Sequence, residues 1–263
     1  MHPLEDTLIH HLTRLRDRAG LTGVKAEFEA EGARLEEIWR LQDLARRLGL
    51  GLTLKLGGCE ARRDLREARD LGAERIVAPM VETPYALTKY LGAIRDMLGE
   101  DPGIACSVNI ETSTAVANLE TMLTLPGIAR LDGILVGRAD LAGSLGRSRH
   151  ELDDPAVAAL CHEAVRTARS HGLRTAIGGG MAPQAWTFLT TFKPGQLDRI
   201  ETRKLVFDAS ALMTSGPEAL EEAIRFEIAW LEVKQAHHRG AAEEDLARMA
   251  LLRERLQATR RVR

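Results

Sequence analysis

Residues 110–146 read IETSTAVANLETMLTLPGIARLDGILVGRADLAGSLG and contain two apolar runs that each end on an acid. The first run ends on Glu111 and the second, LDGILVGRAD, ends on Asp140, with a helix-like segment between them. Strand, helix and strand in this order are typical of a parallel sheet that is covered by helices. The stretch therefore predicts a strand–helix–strand unit whose two strands both finish on a carboxylate.

The same alternation runs along most of the chain. Seven apolar runs alternate with segments in which apolar residues recur at helical spacing. The runs that predict strands are residues 23–29, 50–58, 75–82, 104–111, 131–140, 174–180 and 203–210. Because no GxGxxG turn follows the first run, the pattern favours a TIM-type (β/α) barrel of the α/β class over a dinucleotide-binding fold. An eighth strand is not recognisable, so we expect either an incomplete barrel or a strand hidden near Leu21.

The domain organisation follows from the same pattern. Residues 5–20 predict a helix, and we assign residues 1–215 to the barrel with this N-terminal helix. Residues 216–263 predict a C-terminal extension of two amphipathic helices. We expect this extension to pack on the barrel or on a neighbouring subunit, with a solvated terminal helix as the alternative; packing on a neighbour would make the protein a homo-oligomer.

Composition excludes several classes of partner. The 263 residues carry a formal net charge of −2, and only 4% of them are aromatic, which leaves few side chains for stacking nucleic-acid bases. The polar N-terminus and the absence of an apolar run near the ~20 residues that span a bilayer predict no membrane partner. Three scattered cysteines indicate neither disulfides nor a zinc site, so a cytoplasmic location and a small-molecule substrate are expected.

Polar side chains gather near the ends of five consecutive predicted strands. Side chains alternate between the two faces of a strand, and the carboxyl ends of barrel strands meet at one end of the barrel, the mouth. This period places Thr53, Lys55, Ser107, Asn109 and Glu111 on the inward face. In the other runs, the residues that share one face are Lys25, Glu27 and Glu29, then Met80 and Glu82, and then Val136, Arg138 and Asp140. An inward charge costs several kcal/mol unless it is paired or coordinated, so their convergence indicates a polar active site.

Glu111 and Asp140 lead to two interpretations. Two carboxylates on neighbouring strands suit a hard divalent ion, Mg²⁺ or Mn²⁺, that retains several waters. Alternatively, each acid forms an ion pair with Lys25, Lys55 or Arg138. Spacing alone does not choose between a metal site and ion pairs.

The motifs around these acids resemble those of a known family. The I-E-T of residues 110–112, the A-x-x-N of residues 115–118 and the D-G-x-x-x-G-x-x-D-L of residues 132–141 resemble the HpcH/HpaI aldolase and citrate-lyase β-subunit family. The segment RIVAPMVET of residues 75–83 resembles the family's strand that ends V-P-M-V. The resemblance extends from about Val24 to Ser210, and its specific features are Glu111 and residues 137–141.

The resemblance implies a fold, a cofactor and a reaction. It implies a modified TIM barrel that binds Mg²⁺ or Mn²⁺ through Glu111 and Asp140. It also implies carbon–carbon lyase or aldolase chemistry on pyruvate-like 2-oxo acids or acyl-CoA esters. Lys55 stands where the family's aldolases carry an arginine, so Lys55 and Arg138 are expected to contact the substrate anion.

The sequence departs from the family at two positions. The aldolases carry an acid-Gly-Glu-His segment, and the matching residues here are Glu27, Phe28, Glu29 and Ala30, without the histidine that transfers a proton. Arg138 stands where the family commonly has a proline. We therefore predict that Glu29 or Glu82 is the acid/base group, with metal-bound water as the alternative.

Further residues are expected to line the substrate site. Lys25 and Glu27 lie on the first strand, and Gly137 and Gly178 stand where backbone N–H groups could approach a carboxylate or phosphate. Schiff-base chemistry at Lys25 or Lys55 is a second possibility. Besides the lyase, two further functions stay open: a divergent lyase or mutase reaction on an unusual substrate, and a barrel that binds a ligand without converting it.

Overall fold

The computed structural model describes residues 3–100, 103–148 and 150–261, in which eight strands close into a barrel in chain order. The strands are β1 Leu21–Glu27, β2 Gly51–Lys55, β3 Arg75–Ala78, β4 Ala105–Ile110, β5 Gly133–Gly137, β6 Arg174–Gly178, β7 Arg199–Glu201 and β8 Leu205–Asp208. The predicted α/β barrel is confirmed, and within the described residues it has a full set of eight strands.

Helices cover the outside of the barrel. They are α1 Pro3–Ala19, α2 Leu35–Arg47, α3 Arg62–Asp70, α4 Pro84–Leu98, α5 Ser113–Leu123, α6 Arg138–Ser144, α7 Pro155–Ser170, α8 Trp186–Leu189, α9 Ala209–Ser215 and α10 Glu218–Arg261. The two helices that flank β4 begin in the same way, because the hydroxyls of Thr83 and Thr112 accept hydrogen bonds from the first turns of α4 and α5. Pro84 is the first residue of α4, as the sequence predicts.

The strand that the sequence does not reveal is β7, far from Leu21. Leu21 is instead the first residue of β1. Strand β7 reads Arg-Ile-Glu, so its single apolar residue, Ile200, produces no apolar run. Only residues 202–204 connect β7 to β8. Because a connection of three residues is too short for a parallel crossover, β8 runs antiparallel to β7, and it is also antiparallel to β1.

The predicted strands reach past the observed ones at the mouth. The difference is largest at the fifth strand, for which the sequence predicts one continuous run over residues 131–140. Strand β5 ends at Gly137, and α6 begins at Arg138 with no loop between them. The expectation that Val136, Arg138 and Asp140 share one strand face is therefore wrong.

Apolar side chains pack on both faces of the barrel strands. The larger group lies between the strands and the helices and includes Val108, Ile110 and Val136. A small separate cluster of Val77, Leu135 and Ala176 lies among the inward side chains of β3, β5 and β6. This inner cluster closes the middle of the barrel, and the charged side chains lie beyond it toward either end.

The C-terminal extension is one helix of 44 residues, not the two helices predicted. Gly240 lies within it, and one glycine costs a helix only about 1 kcal/mol relative to alanine. The first half packs on α1 and buries Phe226 and Trp230. Ile228 and Leu231 on the same half are about half exposed, and assembly with further copies stays a prediction.

Among the described helices, none combines the length and the apolar character that crossing a membrane would require.

Candidate active site

Acids and lysines occupy the carboxyl ends of four strands at the mouth. In β1 and β2 the register places Glu27 beside Lys55, and both side chains are buried. Glu111 immediately follows β4, and Glu201 is the last residue of β7. Both of these glutamates are only 1% exposed, so their charges are held away from bulk water.

Glu111 is fixed by three donors. Its Oε1 accepts a hydrogen bond from the backbone N–H of Met80 at 2.9 Å, and its Oε2 accepts one from the amide of Asn109 at 2.6 Å. The ammonium of Lys55 lies 3.5 Å from Oε2. Burial raises the pKa of Glu111 above its usual value, and the nearby charge of Asp140 adds to the rise, against the opposing effects of Lys55 and Met80.

Met80 adopts a backbone conformation that aims its N–H at Glu111. Its φ of 51° makes it the only non-glycine residue with positive φ in the described part of the chain. Such conformations are costly and persist where surrounding structure imposes them, often at functional sites. Sequence analysis placed the Met80 side chain at the mouth but gave no signal for this backbone contact.

Lys55 bridges two acids and remains an ammonium. Its Nζ lies 2.7 Å from Glu29 Oε2 in addition to its contact with Glu111. Burial alone would lower the pKa of Lys55, but Glu111, Glu29 and Glu27 outweigh burial and leave that pKa raised. A protonated amine is a poor nucleophile, so this environment disfavours the Schiff-base alternative at Lys55.

Lys25, Glu27 and Glu201 form a second buried cluster. Lys25 Nζ lies 3.4 Å from Glu27 Oε1 and 3.2 Å from Glu201 Oε2. Burial would lower the pKa of Lys25, but the two acids outweigh it and raise that pKa. Lys25 and Glu27 thus partner each other beside the site. Sequence reasoning missed Glu201 because β7 was not recognised; its only signal is an acid that ends the short R-I-E segment.

Asp140 lies on a helix, contrary to the expectation that it ends a strand. It is the third residue of α6, where an acid favours the positive end of the helix dipole. Its side chain is exposed, and it forms no ion pair in the part of the chain that the structure describes. Because β5 passes directly into α6, Asp140 still lies close enough to act electrostatically on Glu111.

Arg138 is bound to the turn after β6 and lies apart from the mouth acids. It is 2% exposed; Nε and Nη2 donate to the carbonyls of Gly179 and Gly180 at 3.3 and 3.1 Å, and Nη1 donates to Asp153 at 3.0 Å. Its guanidinium also lies 4.5 Å from the ring centre of Phe188. These contacts fix α6, and with it Asp140, against the neighbouring turn. A direct substrate contact by Arg138 would require some of them to break.

Glu29 and Glu82, the two predicted acid/base groups, lie in different surroundings. Glu29 lies just beyond β1, partly exposed, in contact with Lys55. Glu82 is half-buried in the turn before α4, and its carbonyl accepts a hydrogen bond from the Asn118 side chain at 2.9 Å. Of the two acid/base candidates, Glu29 is therefore the one in contact with the Lys55–Glu111 group.

Gly137 and Gly178 lie at the ends of adjacent strands. A Cβ on Gly137 would lie 2.7 Å from Glu111 Oε2, so only glycine leaves room for this carboxylate. A Cβ on Gly178 would lie 3.1 Å from the carbonyl oxygen of Glu201. Both positions make room for neighbouring protein groups, and their role in substrate binding stays a prediction.

Three comparisons place this barrel among known proteins. The family model described as HpcH/HpaI aldolase/citrate lyase matches residues 59–178. A 2-keto-3-deoxy-L-rhamnonate aldolase of Escherichia coli K12 is 26% identical over 179 residues, 58% of this chain and 66% of the relative. A 2-dehydro-3,6-dideoxy-6-sulfogluconate aldolase of Pseudomonas putida is 25% identical over 151 residues, 48% of this chain and 56% of the relative.

The fold agrees with that of a solved structure. The HpcH/HpaI aldolase of Desulfitobacterium hafniense DCB-2 superposes with a TM-score of 0.60 at 19% identity, over 80% of this chain and 84% of that one. The curated relatives are matched over only 56% and 66% of their length. Residues 59–178 thus match the model of the HpcH/HpaI aldolase/citrate lyase family, the related sequences are aldolases, and the solved structure shares the barrel fold.

Proposed function

We propose that the chain is a lyase of the aldolase type that cleaves a carbon–carbon bond in a small 2-oxo acid with the help of Mg²⁺ or Mn²⁺. The observation that carries this proposal is the buried Glu111 carboxylate at the mouth, with Asp140 nearby and Lys55 in contact. The two aldolase relatives support the substrate class, because both of their names denote 2-oxo sugar acids.

The residues at the mouth fit a divalent ion. Oε1 of Glu111 accepts one hydrogen bond, from the backbone of Met80, which leaves a further lone pair on that oxygen for a metal. The Asn109 side-chain oxygen is buried and has no hydrogen-bond partner among the described residues. Among the residues that the structure describes, no group of three or more histidine, cysteine or acidic side chains gathers at the mouth or elsewhere, so waters and substrate would have to complete the coordination of an ion held by Glu111 and Asp140.

The metal and the protein would divide the work. A divalent ion held by Glu111 and Asp140 would act as a Lewis acid toward a 2-oxo acid. Lys55 offers a fixed positive charge for the substrate's carboxylate and for negative charge that develops during cleavage. Glu29, in contact with Lys55 and open to solvent, is placed to exchange a proton with substrate and water.

Titration of the full chain with Mn²⁺ tests this assignment. Glu111→Gln preserves the shape of the side chain but removes its charge, and we expect Mn²⁺ affinity to fall at least tenfold and pyruvate release from 4-hydroxy-2-oxo acids to be lost. Glu36→Gln, an exposed acid on α2, is the matched control and should behave as wild type. Equal Mn²⁺ binding by Glu111→Gln and wild type would overturn the metal site. Binding of 2-oxo acids without any product would show a ligand-binding barrel instead.

A further inference from the structure

Helix α10 continues well past its last contact with the barrel. Lys234 and His238 lie 2.9 and 3.1 Å from Glu37, in the first turn of α2 at the mouth end. Among the side chains that the structure describes, none beyond His238 forms an ion pair or a hydrogen bond with the rest of the protein. Residues 239–261 therefore continue the helix for about 35 Å beyond this contact. We call them the projecting half of α10.

Six large apolar side chains of α10 are exposed, each with between 38% and 60% of its surface open to solvent. They are Ile224, Ile228, Leu231, Leu246, Met249 and Leu252. Ile228 and Leu246 are 18 residues apart, as are Leu231 and Met249, and 18 residues make about five turns of helix. The six side chains therefore share one face of the helix, and we call them the α10 stripe.

The α10 stripe has nearly the same spacing in both directions. Three of its members lie before His238 and three beyond it, at almost equal distances along the helix. If two copies of α10 lie side by side and antiparallel, with a two-fold axis near His238, the stripe of one copy matches that of the other. The facing pairs are then Ile224 with Leu252, Ile228 with Met249, and Leu231 with Leu246.

The charges along α10 favour the antiparallel orientation over the parallel one. Residues 218–232 contain five glutamates and one arginine, whereas residues 248–261 contain five arginines and one glutamate. Antiparallel helices place the acidic segment of each copy beside the basic segment of the other, while parallel helices would place like charges together. The charge pattern therefore fits a second copy of this chain in the antiparallel orientation.

The α10 stripe offers enough apolar surface for a stable contact. The exposed parts of its six side chains amount to roughly 500 Å² per copy, so pairing would remove about 1,000 Å² of apolar surface from water, close to what a specific interface needs. A helix that packs against nothing is only marginally stable in water. Pairing with a second copy would therefore stabilise the projecting half as well as cover the stripe.

We propose that two copies of this chain associate through antiparallel pairing of their α10 helices. The projecting half of each copy packs on residues 218–238 of the other, so that the two stripes cover one another. The same surface is used by both copies, as a two-fold axis requires. This contact does not involve the acids and lysines at the mouth, and it does not depend on the proposed lyase reaction.

Sedimentation equilibrium of the full chain tests whether the stripe is the interface. We expect wild type to be a dimer or an assembly of dimers, and the double variant Leu246→Glu/Met249→Glu to have half that mass, because pairing would bury its new carboxylates. Tyr85→Glu on α4 is the control: Tyr85 is an equally exposed apolar residue outside the stripe, and this variant should keep the wild-type mass. A monomeric wild type, or a double variant with the wild-type mass, would overturn the proposal.

Disulfide trapping tests the orientation. Leu231→Cys and Leu246→Cys are made as separate variants, because antiparallel pairing places these two positions opposite each other in different copies. We expect a covalent dimer when the two variants are mixed, allowed to exchange subunits and oxidised with diamide. Either variant alone should form little, since its two new thiols would lie about 22 Å apart along the helices. Oxidised wild type controls for the three native cysteines. Covalent dimers in each variant alone and not in the mixture, or in neither, would contradict the proposal.

Discussion

Gly137 shows how one missing side chain shapes the site. Glycine at the end of β5 lets the backbone approach the Glu111 carboxylate more closely than any Cβ would allow. The sequence shows Gly137 within a motif, but only the structure shows that its role is to make room for an acid. The same close approach explains why β5 can lie beside Glu111 before passing into α6.

Gly137→Ala should displace Glu111 and disturb the mouth. The new Cβ would lie 2.7 Å from Glu111 Oε2, so we expect a loss of about 1–3 kcal/mol in the free energy of unfolding and weaker Mn²⁺ binding. Gly143→Ala on α6 is the control, since nothing lies within 4 Å of its Cβ and alanine favours a helix. Urea unfolding and Mn²⁺ titration measure both effects, and unchanged values for Gly137→Ala would contradict the packing described.

Glu27 makes the stability of the barrel depend on pH. Burial would raise the pKa of Glu27, but Lys25, Lys55 and Arg203 outweigh it and hold that pKa below its ordinary value of 4.5. A carboxylate with a lowered folded-state pKa contributes stability that is fully present above the unfolded value and is lost as pH falls through the folded one.

We therefore expect Glu27→Gln to cost about 2 kcal/mol in the free energy of unfolding at pH 7. That difference from wild type should shrink below pH 4.5, where the wild-type carboxylate becomes protonated. Urea unfolding of both proteins from pH 7 to pH 3 measures it. A difference that stays constant over this range would mean that the Glu27 charge does not stabilise the fold.

At the scale of elements, α10 shows how a terminal helix is held. Its first half lies on α1, and Phe226 is fully buried there. Most of a helix's stability in a protein comes from such packing, because an isolated helix is marginal in water. The helical pattern of residues 216–263 was visible in the sequence, but the continuity of the helix through Gly240 was not, since one glycine is a weak break.

Phe226→Ala should lower the free energy of unfolding by about 3–5 kcal/mol, the usual cost of removing a buried aromatic ring. Glu232→Ala, exposed on the same helix, should change it by less than about 0.5 kcal/mol. Urea denaturation measures both. Similar small effects from the two substitutions would show that α10 does not stabilise the barrel.

The elements at the mouth also mark the limit of sequence reasoning. Seven strands could be predicted because each contains an apolar run of several residues. Strand β7 has a single apolar residue, and its position depends on pairing with β6 and β8. The predicted strands extend too far toward the C-terminus, because the alternation of polar and apolar residues continues beyond each strand into the following turn or helix. That error placed Asp140 and Arg138 on β5, although both belong to α6.

At the scale of the whole molecule, the barrel separates two groups of charge. The acids and lysines at the mouth were predicted from alternation, because the carboxyl ends of parallel strands converge. A cavity at the opposite end, lined by Gly51, Arg75 and Arg174 at the starts of strands and by residues of the loop after α8, was not predicted, because these residues share no sequence pattern. Which inward charges pair with one another also required the structure, since pairing depends on distances across the barrel.

A crystal of the full chain soaked with Mn²⁺ and oxalate, a mimic of pyruvate enolate, tests the central claim most directly. We expect an anomalous manganese peak bound by Glu111 and Asp140, with oxalate on the metal and Lys55 near its carboxylate. A mouth without manganese, with Glu111 still held by Lys55 and Asp140 free in solvent, would contradict it.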